Sequence, residues 1–503
     1  MEKRLTPKLT VLIIILLSVA VLHLPSLFEP YWYGDEGIYL TLGMAVRKGL
    51  VLYRDIHDNK PPLLYWTAAL AGSQFWLKFI LMVWHLATIA VFYRLAKLWS
   101  GKSNWIPVIA AGLLAALTML PEGNIANGEI FMILPVIGGM LLLNQEAGVR
   151  KQESENKDHK TTGKYLLIGA LFSMGFLFKV PAAFDFIAAA IFYVFFLSKD
   201  IRETVSRIFS RNIWLMIIGF LGPIILSLIY YATRGGFEPY LRSALMQNMG
   251  YLSSWKTGDN PASGPFVISG LMLRAIILLI GTAGLWVARL KFKLSLKTSF
   301  ASLWFLFALF GALLSARPYP HYLIQPAVPA ALLLVILFID KTKIAKVVVG
   351  LQIAVTIAAY LFVGFWSYSI LPYYQNFFSW AVGNKTQTEY FGYFGEQVNR
   401  SYKIAEYVRR TTSPEDRIFI WGDDPYIYPL SQRLPSGRYT VAYHVVDFNG
   451  YDETAAAIKV QKPKIIVWLD YGRQFPQLSS IVADGYIRVE DIEGATIFRL
   501  IRH

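Results

Sequence analysis

Long apolar runs separated by short basic clusters constrain this chain more than any other sequence feature. Crossing about 30 Å of hydrocarbon takes roughly 20 apolar residues in a helix. Only 16% of the 503 residues are charged, whereas soluble globular domains carry about 25%. The sequence therefore predicts a multi-spanning α-helical membrane protein with about 11 transmembrane helices. The predicted spans are 9–28, 76–93, 105–121, 126–143, 165–180, 183–198, 213–231, 266–288, 299–315, 323–339 and 347–370.

The distribution of Lys and Arg predicts the orientation of these spans. If the N-terminus is cytoplasmic, 22 Lys and Arg fall in the inside segments and 8 in the outside segments before residue 371. Positive loops stay preferentially in the cytoplasm. We therefore expect a multi-pass protein of the cell membrane with a cytoplasmic N-terminus and an extracytoplasmic C-terminal region. Topology then accounts for much of the net charge of +15, so we expect no nucleic-acid partner.

The chain divides at about residue 370. Residues 1–370 are predicted to form the transmembrane domain, with a first extracytoplasmic loop at 29–75. Strands alternate with helices over 371–503, which indicates a small extracytoplasmic α/β domain. Its predicted helices are Glu396–Thr411 and Asp452–Gln461, and its predicted strands are Arg417–Trp421, Tyr439–His444, Ile465–Leu469, Tyr486–Glu490 and Ala495–Leu500.

The first outside loop carries two adjacent acids, Asp35 and Glu36, directly after the first span. Residues 36–48 have the pattern of a short amphipathic helix, with Gly49 as its stop, and such a helix is expected to lie along the membrane surface. An Asp at the N-cap accepts hydrogen bonds from free backbone N–H groups, and acids in the first turn interact favourably with the helix dipole. A carboxylate at the membrane boundary is also placed to take a proton from an incoming hydroxyl. The two interpretations are compatible.

Other charged residues near the predicted outer ends of spans have both a functional and a structural interpretation. Glu129 is a functional candidate because acids near membrane depth are costly, or else an interfacial carboxylate in water. Lys179 either grips a phosphate or extends its amine to the headgroups. Arg274 either binds a phosphate or forms a salt bridge between packed helices. Arg317 and His321 lie in a Pro- and Tyr-rich turn that is also typical of an aromatic belt.

Taken together, the motifs resemble those of the C-type glycosyltransferase superfamily. The residues that carry the resemblance are Gly34-Asp35-Glu36-Gly37-Xaa-Tyr39, Gly49 with Tyr53-Arg54-Asp55, Lys60-Pro61-Pro62, Asn127-Gly128-Glu129-Ile130-Phe131, Phe178-Lys179 and Pro320-His321-Tyr322. They cover about residues 1–340. The match is closest to the branch that is similar to protein O-mannosyltransferases, the aminoarabinose transferase of lipid A and the rhizobial core galacturonosyltransferases.

The resemblance implies a transferase that takes a sugar from a polyprenyl-phosphate donor at the outer leaflet, usually with inversion. It implies Asp35 as the base, with Glu36 and Glu129 shaping the catalytic site. Residues implied or plausible for binding the donor phosphate are Lys60, Lys179, Arg317, His321 and Arg274. Tyr39, Tyr53 and Asp55 are the candidate loop residues facing an acceptor. Lys60-Pro-Pro also has a structural interpretation, as a rigid break before the next helix with the Lys at the headgroups.

The expected partners are the donor, membrane lipids and a glycan, lipid or protein acceptor. The phosphate leaving group is stabilised by cationic side chains, so the chemistry demands no metal, and no His, Asp or Glu cluster has metal-ligand spacing. We expect no cofactor, with a divalent cation left open. Two alternatives stand beside the enzyme: a transporter or flippase of a lipid-linked glycan, and a non-catalytic surface scaffold. A transporter should carry inverted repeats and mid-membrane polar groups, whereas here the polar groups gather at the outer rim.

Overall fold

The computed structural model describes residues 6–100, 105–149, 158–247, 270–315, 317–469 and 472–501. The chain forms two compact units. The first, which we call the bundle unit, comprises Met1–His23, Leu81–Ser227 and Met246–Tyr368. The second, the loop unit, comprises Leu24–Ile80, Leu228–Leu245 and Ser369–His503. The first outside loop therefore groups with the C-terminal region.

Apolar helices account for the predicted spans. Among the described residues, seven helices are long and apolar enough to cross a membrane: Pro7–Phe28, Gln74–Trp99, Gly128–Glu146, Arg211–Ala232, Gly270–Lys291, Pro320–Ile339 and Lys343–Val363. The four remaining predicted spans coincide with shorter apolar helices: Ile106–Met119, Gly163–Phe178, Ala182–Phe196 and Leu296–Ala312. Each of the eleven runs thus forms a helix, while the number of crossings stays a prediction.

Small residues let the helices of the bundle unit approach closely. A Cβ atom on Gly169 would lie 2.0 Å from the carbonyl oxygen of Met216, and one on Gly219 would lie 2.1 Å from that of Leu166. Helices in lipid associate through such close backbone contacts, because burying apolar surface away from lipid contributes little free energy of association. Buried polar bonds add to this packing, since Asp185 accepts hydrogen bonds from Trp304 (2.6 Å) and Gln325 (2.7 Å).

The loop unit contains a four-stranded sheet in the order β1 (Ile418–Trp421), β2 (Ile465–Trp468), β4 (Ala495–Leu500), β3 (Tyr486–Ile492). β1 and β2 are parallel and the other pairs antiparallel. Successive side chains of a strand point to opposite faces, and here both faces are buried by helices. The further helices of the unit are Gly34–Arg47, Pro62–Ala71, Phe237–Tyr240, Ile370–Ala381, Gln387–Gly392, Glu396–Thr411, Ile427–Ser431, Ala442–Asp447, Tyr451–Gln461 and Pro476–Gly485; the bundle unit adds Ile201–Ile208.

One predicted strand is wrong. Residues 439–444 do not join the sheet, and Ala442–Asp447 is a helix whose buried residues include Ala442 and Val445. The neighbouring segment around Pro435 bridges the free edge of β1 at Ile418. Ala442 and Val445 instead pack in the core with Phe419 and Ile466 of the sheet, and such packing overrides β-propensity, which depends strongly on context.

The helix Gly34–Arg47, which we call the first-loop helix, is enclosed by protein. Met44 belongs to the sheet core with Ile404 and Ile418, and the Thr41 hydroxyl lies 3.1 Å from the carbonyl oxygen of Pro425. On another side, a Cβ on Gly43 would lie 2.6 Å from the Ala69 backbone nitrogen. The expectation that this helix rests along the membrane surface is therefore wrong, since its sides are covered by protein.

Candidate functional site

Asp35 lies in the first turn of the first-loop helix. The N-cap residue is Tyr33, which makes no side-chain cap hydrogen bond, so the prediction of Asp35 as the N-cap is wrong. Asp35 and Glu36 do lie in the first turn, where the helix dipole favours acids. The Asp35 carboxylate accepts a hydrogen bond from the Tyr39 hydroxyl (3.0 Å). The side chain is 32% exposed. Asp35 is therefore held in place while remaining accessible to an incoming molecule.

Lys60 lies between two carboxylates. Its Nζ is 3.6 Å from Asp35 Oδ2 and 3.6 Å from Asp58 Oδ2, and 5.0 Å from the centre of the Tyr39 ring. The side chain is 18% exposed. The two carboxylates and the face of the Tyr39 ring together hold the Lys60 ammonium group beside the accessible carboxylate of Asp35.

Asp58 was not among the sequence candidates. It is buried, and it accepts hydrogen bonds from the Tyr65 hydroxyl (2.8 Å) and from the Asn59 backbone N–H (2.7 Å). Burial raises the pKa of Asp58, but Lys60 and these donors outweigh burial and lower it below its ordinary value. His444 Nε2, from the C-terminal region, lies 3.9 Å from Asp58 Oδ1. Asp58 therefore stays ionised and forms an ion pair with Lys60 on the buried side of this lysine.

His57 is buried beside this cluster. Its Nδ1 lies 3.2 Å from the Ser243 hydroxyl and 3.4 Å from Arg438 Nη2. Burial, with the nearby His444 and Arg438, lowers the pKa of His57 from 6.5 to about 3. His57 is thus neutral in the folded chain at neutral pH.

We expect His57 to make the loop unit acid-labile. Between pH 6.5 and 3 the unfolded chain binds a proton at this position that the folded chain does not, so stability falls as the pH is lowered through this range. In a His57→Asn variant, which keeps an acceptor near the Nδ1 position, the fall in apparent melting temperature between pH 7 and 4.5 should be smaller than in the wild type. Equal slopes in both proteins, measured by thermal unfolding in detergent, would contradict this assignment.

Glu36 belongs to a separate buried cluster. Lys78 Nζ lies 2.8 Å from Glu36 Oε1 and 3.1 Å from Glu29 Oε2, and the three side chains are at most 2% exposed. Tyr373 donates a 2.5 Å hydrogen bond to Glu29. Glu36 is thus joined through Lys78 to Glu29 at the start of the first-loop helix, and its part in shaping the catalytic site stays a prediction.

Tyr53 and Asp55 shape the same loop. Tyr53 is fully buried, and its hydroxyl donates to the Lys60 carbonyl oxygen (2.8 Å). The carboxylate of Asp55 accepts from the Val51 backbone N–H (2.8 Å) and from Arg54 Nε (2.7 Å). These contacts give both residues a role in holding Lys60 and its loop, and their proposed contact with an acceptor stays a prediction.

A second group of sequence candidates comes together in the bundle unit. Lys179 Nζ forms an ion pair with Glu129 Oε1 and lies 4.6 Å from the centre of the Tyr322 ring. His321 Nε2 is 4.0 Å from the same oxygen of Glu129, and its Nδ1 is 2.6 Å from Glu122 Oε2. Glu129 is 2% exposed. In this second group Lys179 and His321 both approach Glu129, and His321 also contacts Glu122, the member that the sequence did not suggest.

The two arginines have different surroundings. Arg274 Nε donates a hydrogen bond to the Gly270 carbonyl oxygen (2.9 Å). Arg274 Nη1 lies 3.4 Å from the Leu314 carbonyl oxygen. It thus binds backbone carbonyls, where the sequence left open a salt bridge or a phosphate contact. Arg317 lies just before the short helix Pro320–Leu323 that carries His321.

The structure thus brings Asp35, Tyr39 and Lys60 together in the loop unit, and Glu129, Lys179 and His321 together in the bundle unit. That both groups serve one cavity stays a prediction. Within the described ranges, no group of three or more His, Asp and Glu side chains has the arrangement of a metal site. The absence of a cofactor also remains a prediction.

Comparison with solved structures identifies the fold. No protein-family profile matches the chain, and no curated protein matches it. The structure is similar to that of ArnT, the aminoarabinose transferase of Cupriavidus metallidurans, solved with undecaprenyl phosphate bound. The TM-score is 0.54 over 97% of each chain, at 12% identity. The chain has the fold of ArnT.

The C-type glycosyltransferase fold predicted from the sequence is thereby confirmed. A more distant likeness, with a TM-score of 0.48 and 14% identity, is to the archaeal oligosaccharyltransferase AglB of Archaeoglobus fulgidus in complex with an inhibitory peptide and a dolichol-phosphate. It covers 92% of this chain and 69% of AglB. With its apolar helices and this fold, the chain is a multi-pass membrane protein.

Proposed function

We propose that the chain is an integral membrane glycosyltransferase that moves a hexose or pentose from a polyprenyl-phosphate donor to a hydroxyl group. The acceptor is a lipid, a polysaccharide or a protein at the outer face of the cell membrane. The N-terminus is cytoplasmic and the C-terminal region extracytoplasmic in this proposal. The observation that carries it is the accessible carboxylate of Asp35, paired with Lys60, in the fold of a transferase solved with undecaprenyl phosphate.

The chemistry follows from the properties of these two side chains. Asp35 accepts the proton of the acceptor hydroxyl as the hydroxyl oxygen attacks the anomeric carbon. The bond from that carbon to the phosphate oxygen breaks, and the electron pair leaves with the polyprenyl phosphate. Direct displacement from the opposite face inverts the anomeric centre and needs one base. After the transfer, Asp35 releases the proton to water, because its side chain is partly exposed.

The leaving phosphate gains negative charge as the bond breaks, and fixed cations stabilise that charge. Lys60 is the nearest cation to Asp35, and Asp58 holds it in place from the buried side. In the bundle unit Lys179 is the corresponding candidate, fixed by Glu129 and the Tyr322 ring. We propose Lys60 and Lys179 as the phosphate-binding residues, with Arg317 and His321 as further candidates.

The test is to incubate purified protein in lipid vesicles with a panel of polyprenyl-phospho-hexoses and -pentoses and a membrane extract as acceptor. Released polyprenyl phosphate is measured for each donor. The proposal requires that at least one donor loses its sugar and that the sugar appears on an acceptor. Donors that cross the bilayer intact would instead indicate the transporter.

Replacing Glu129 with glutamine should reduce turnover at least tenfold. The change removes the charge that fixes Lys179 and leaves this ammonium group, 16% exposed, without its carboxylate partner. Initial rates at saturating and limiting donor separate an effect on KM from one on kcat. As a matched control, Glu146→Gln breaks a lysine pair at the far end of the same helix. If both variants turn over like the wild type, Glu129 has no part in the reaction.

A further inference from the structure

The sequence that follows the last candidate span remains uncharged well beyond it. No charged residue lies between Lys346 and Lys385, although the span itself ends at Val363. About 20 residues suffice to cross the hydrocarbon, so this uncharged run is longer than one crossing. Its second part is rich in aromatic residues, and Trp and Tyr concentrate where a membrane meets water. The aromatic residues after Val363 are Phe365, Trp366, Tyr368, Tyr373, Tyr374, Phe377, Phe378 and Trp380.

The helix Ile370–Ala381, which we call the aromatic helix, has two apolar sides. One side is buried in the loop unit, where Phe377 clusters with Tyr390 and Phe394. The other side is open: Leu371 is 66% exposed, Phe378 59% and Val382, which follows the helix, 68%. The spacing of these residues by seven and four positions puts them on one face. Gln375, which is also exposed, is the polar residue on this face, whereas a soluble domain would normally present mainly polar and charged residues there.

Contacts within the loop unit place this helix at the end of the first span. The Phe28 ring, at the last residue of the candidate span Pro7–Phe28, lies 5.9 Å from that of Phe377 and 6.0 Å from that of Trp380. Tyr373 bonds Glu29, the next residue of the chain. The buried side of the aromatic helix thus packs against the last residue of the first candidate span.

We propose that the aromatic helix lies in the membrane–water interface with Leu371, Phe378 and Val382 inserted among the lipids. A helix face that is uncharged, is apolar apart from Gln375 and follows a span in the chain fits the membrane–water interface and not a charged protein surface. Glu29, which Tyr373 of this helix contacts, also pairs with Lys78, and Lys78 pairs with Glu36, the neighbour of Asp35 in the chain. The depth of the aromatic helix in the interface therefore sets the distance of Asp35 from the lipids. This last consequence rests on the proposed function.

The absence of cysteine in the natural sequence allows a direct test. Single cysteines at Leu371, Phe378 and Val382 are labelled with a nitroxide in vesicles of phosphatidylethanolamine and phosphatidylglycerol. Collisions with oxygen, which concentrates in lipid, are compared with collisions with a water-soluble nickel chelate. Labels at Val460 and Ile487, 81% and 45% exposed elsewhere in the loop unit, serve as aqueous controls.

The proposal predicts a several-fold higher ratio of oxygen to nickel collisions at the three helix positions than at the two controls. Equal ratios at all five positions would overturn it. Spin–spin broadening at the helix labels would also overturn it, because a second copy of the chain would then cover this face. The readout does not depend on activity, so it stands or fails separately from the proposed transferase.

Discussion

Replacing Asp35 with asparagine should lower kcat by about 100- to 10,000-fold, because this is the contribution that a positioned general base makes. Asparagine has the same shape but takes no proton from a hydroxyl. The fold should persist, since Asp35 does not cap its helix and Lys60 keeps Asp58 as a partner. The measurement is the initial rate of polyprenyl phosphate release at saturating donor.

The control for this prediction is Asp484→Asn, the same isosteric change at an exposed position of the helix Pro476–Gly485. It should turn over like the wild type. The melting temperatures of the two variants should agree within about two degrees. An Asp35→Asn protein with wild-type turnover would remove Asp35 as the base.

Replacing Lys78 with methionine should destabilise the protein more than any other single change we consider. Lys78 is fully buried between Glu29 and Glu36, and its loss leaves two buried carboxylates without their cation. Breaking a buried ion pair from one side costs about 3–5 kcal/mol. For a unit of this size the apparent melting temperature should fall by about 10 °C.

Two variants make this prediction specific. A Lys78→Met, Glu29→Gln, Glu36→Gln triple variant removes all three charges and should recover most of the lost stability. Arg410→Met breaks a pair whose side chains are 71% and 61% exposed, and exposed pairs contribute little. If the Lys78→Met protein melts with the wild type, the buried cluster does not stabilise the fold.

The apolar runs were sufficient to predict the helices, and the first-loop motif predicted side chains that the structure brings together. Each predicted span forms a helix, and Gly49, with φ of 87°, does follow the end of the first-loop helix. Asp35 was predicted from its place directly after the first span and Lys60 from the resemblance of the first-loop motif, and the two side chains do lie together. Such local signals survive folding because hydrophobic periodicity and positive φ are decided within a few residues.

The features that the sequence did not reveal depend on distant partners. Lys78 looks like a headgroup residue at the start of a span, and only folding brings it to Glu29 and Glu36. Asp58 looks like a loop residue until Tyr65 and Lys60 surround it. Met44 lies in the core of a sheet built from residues after 417. The C-terminal region is therefore not a separable module, because its core includes the first-loop helix that carries Asp35.

The most direct test of the transferase is a donor that carries one isotope in the sugar and another in the phosphate, supplied to the protein in sealed vesicles. We predict that the sugar label joins an acceptor with inverted configuration while the phosphate label stays on the polyprenyl lipid, and that Asp35→Asn abolishes this separation. If both labels stay on one molecule in the wild-type protein with every donor and acceptor offered, the account is contradicted.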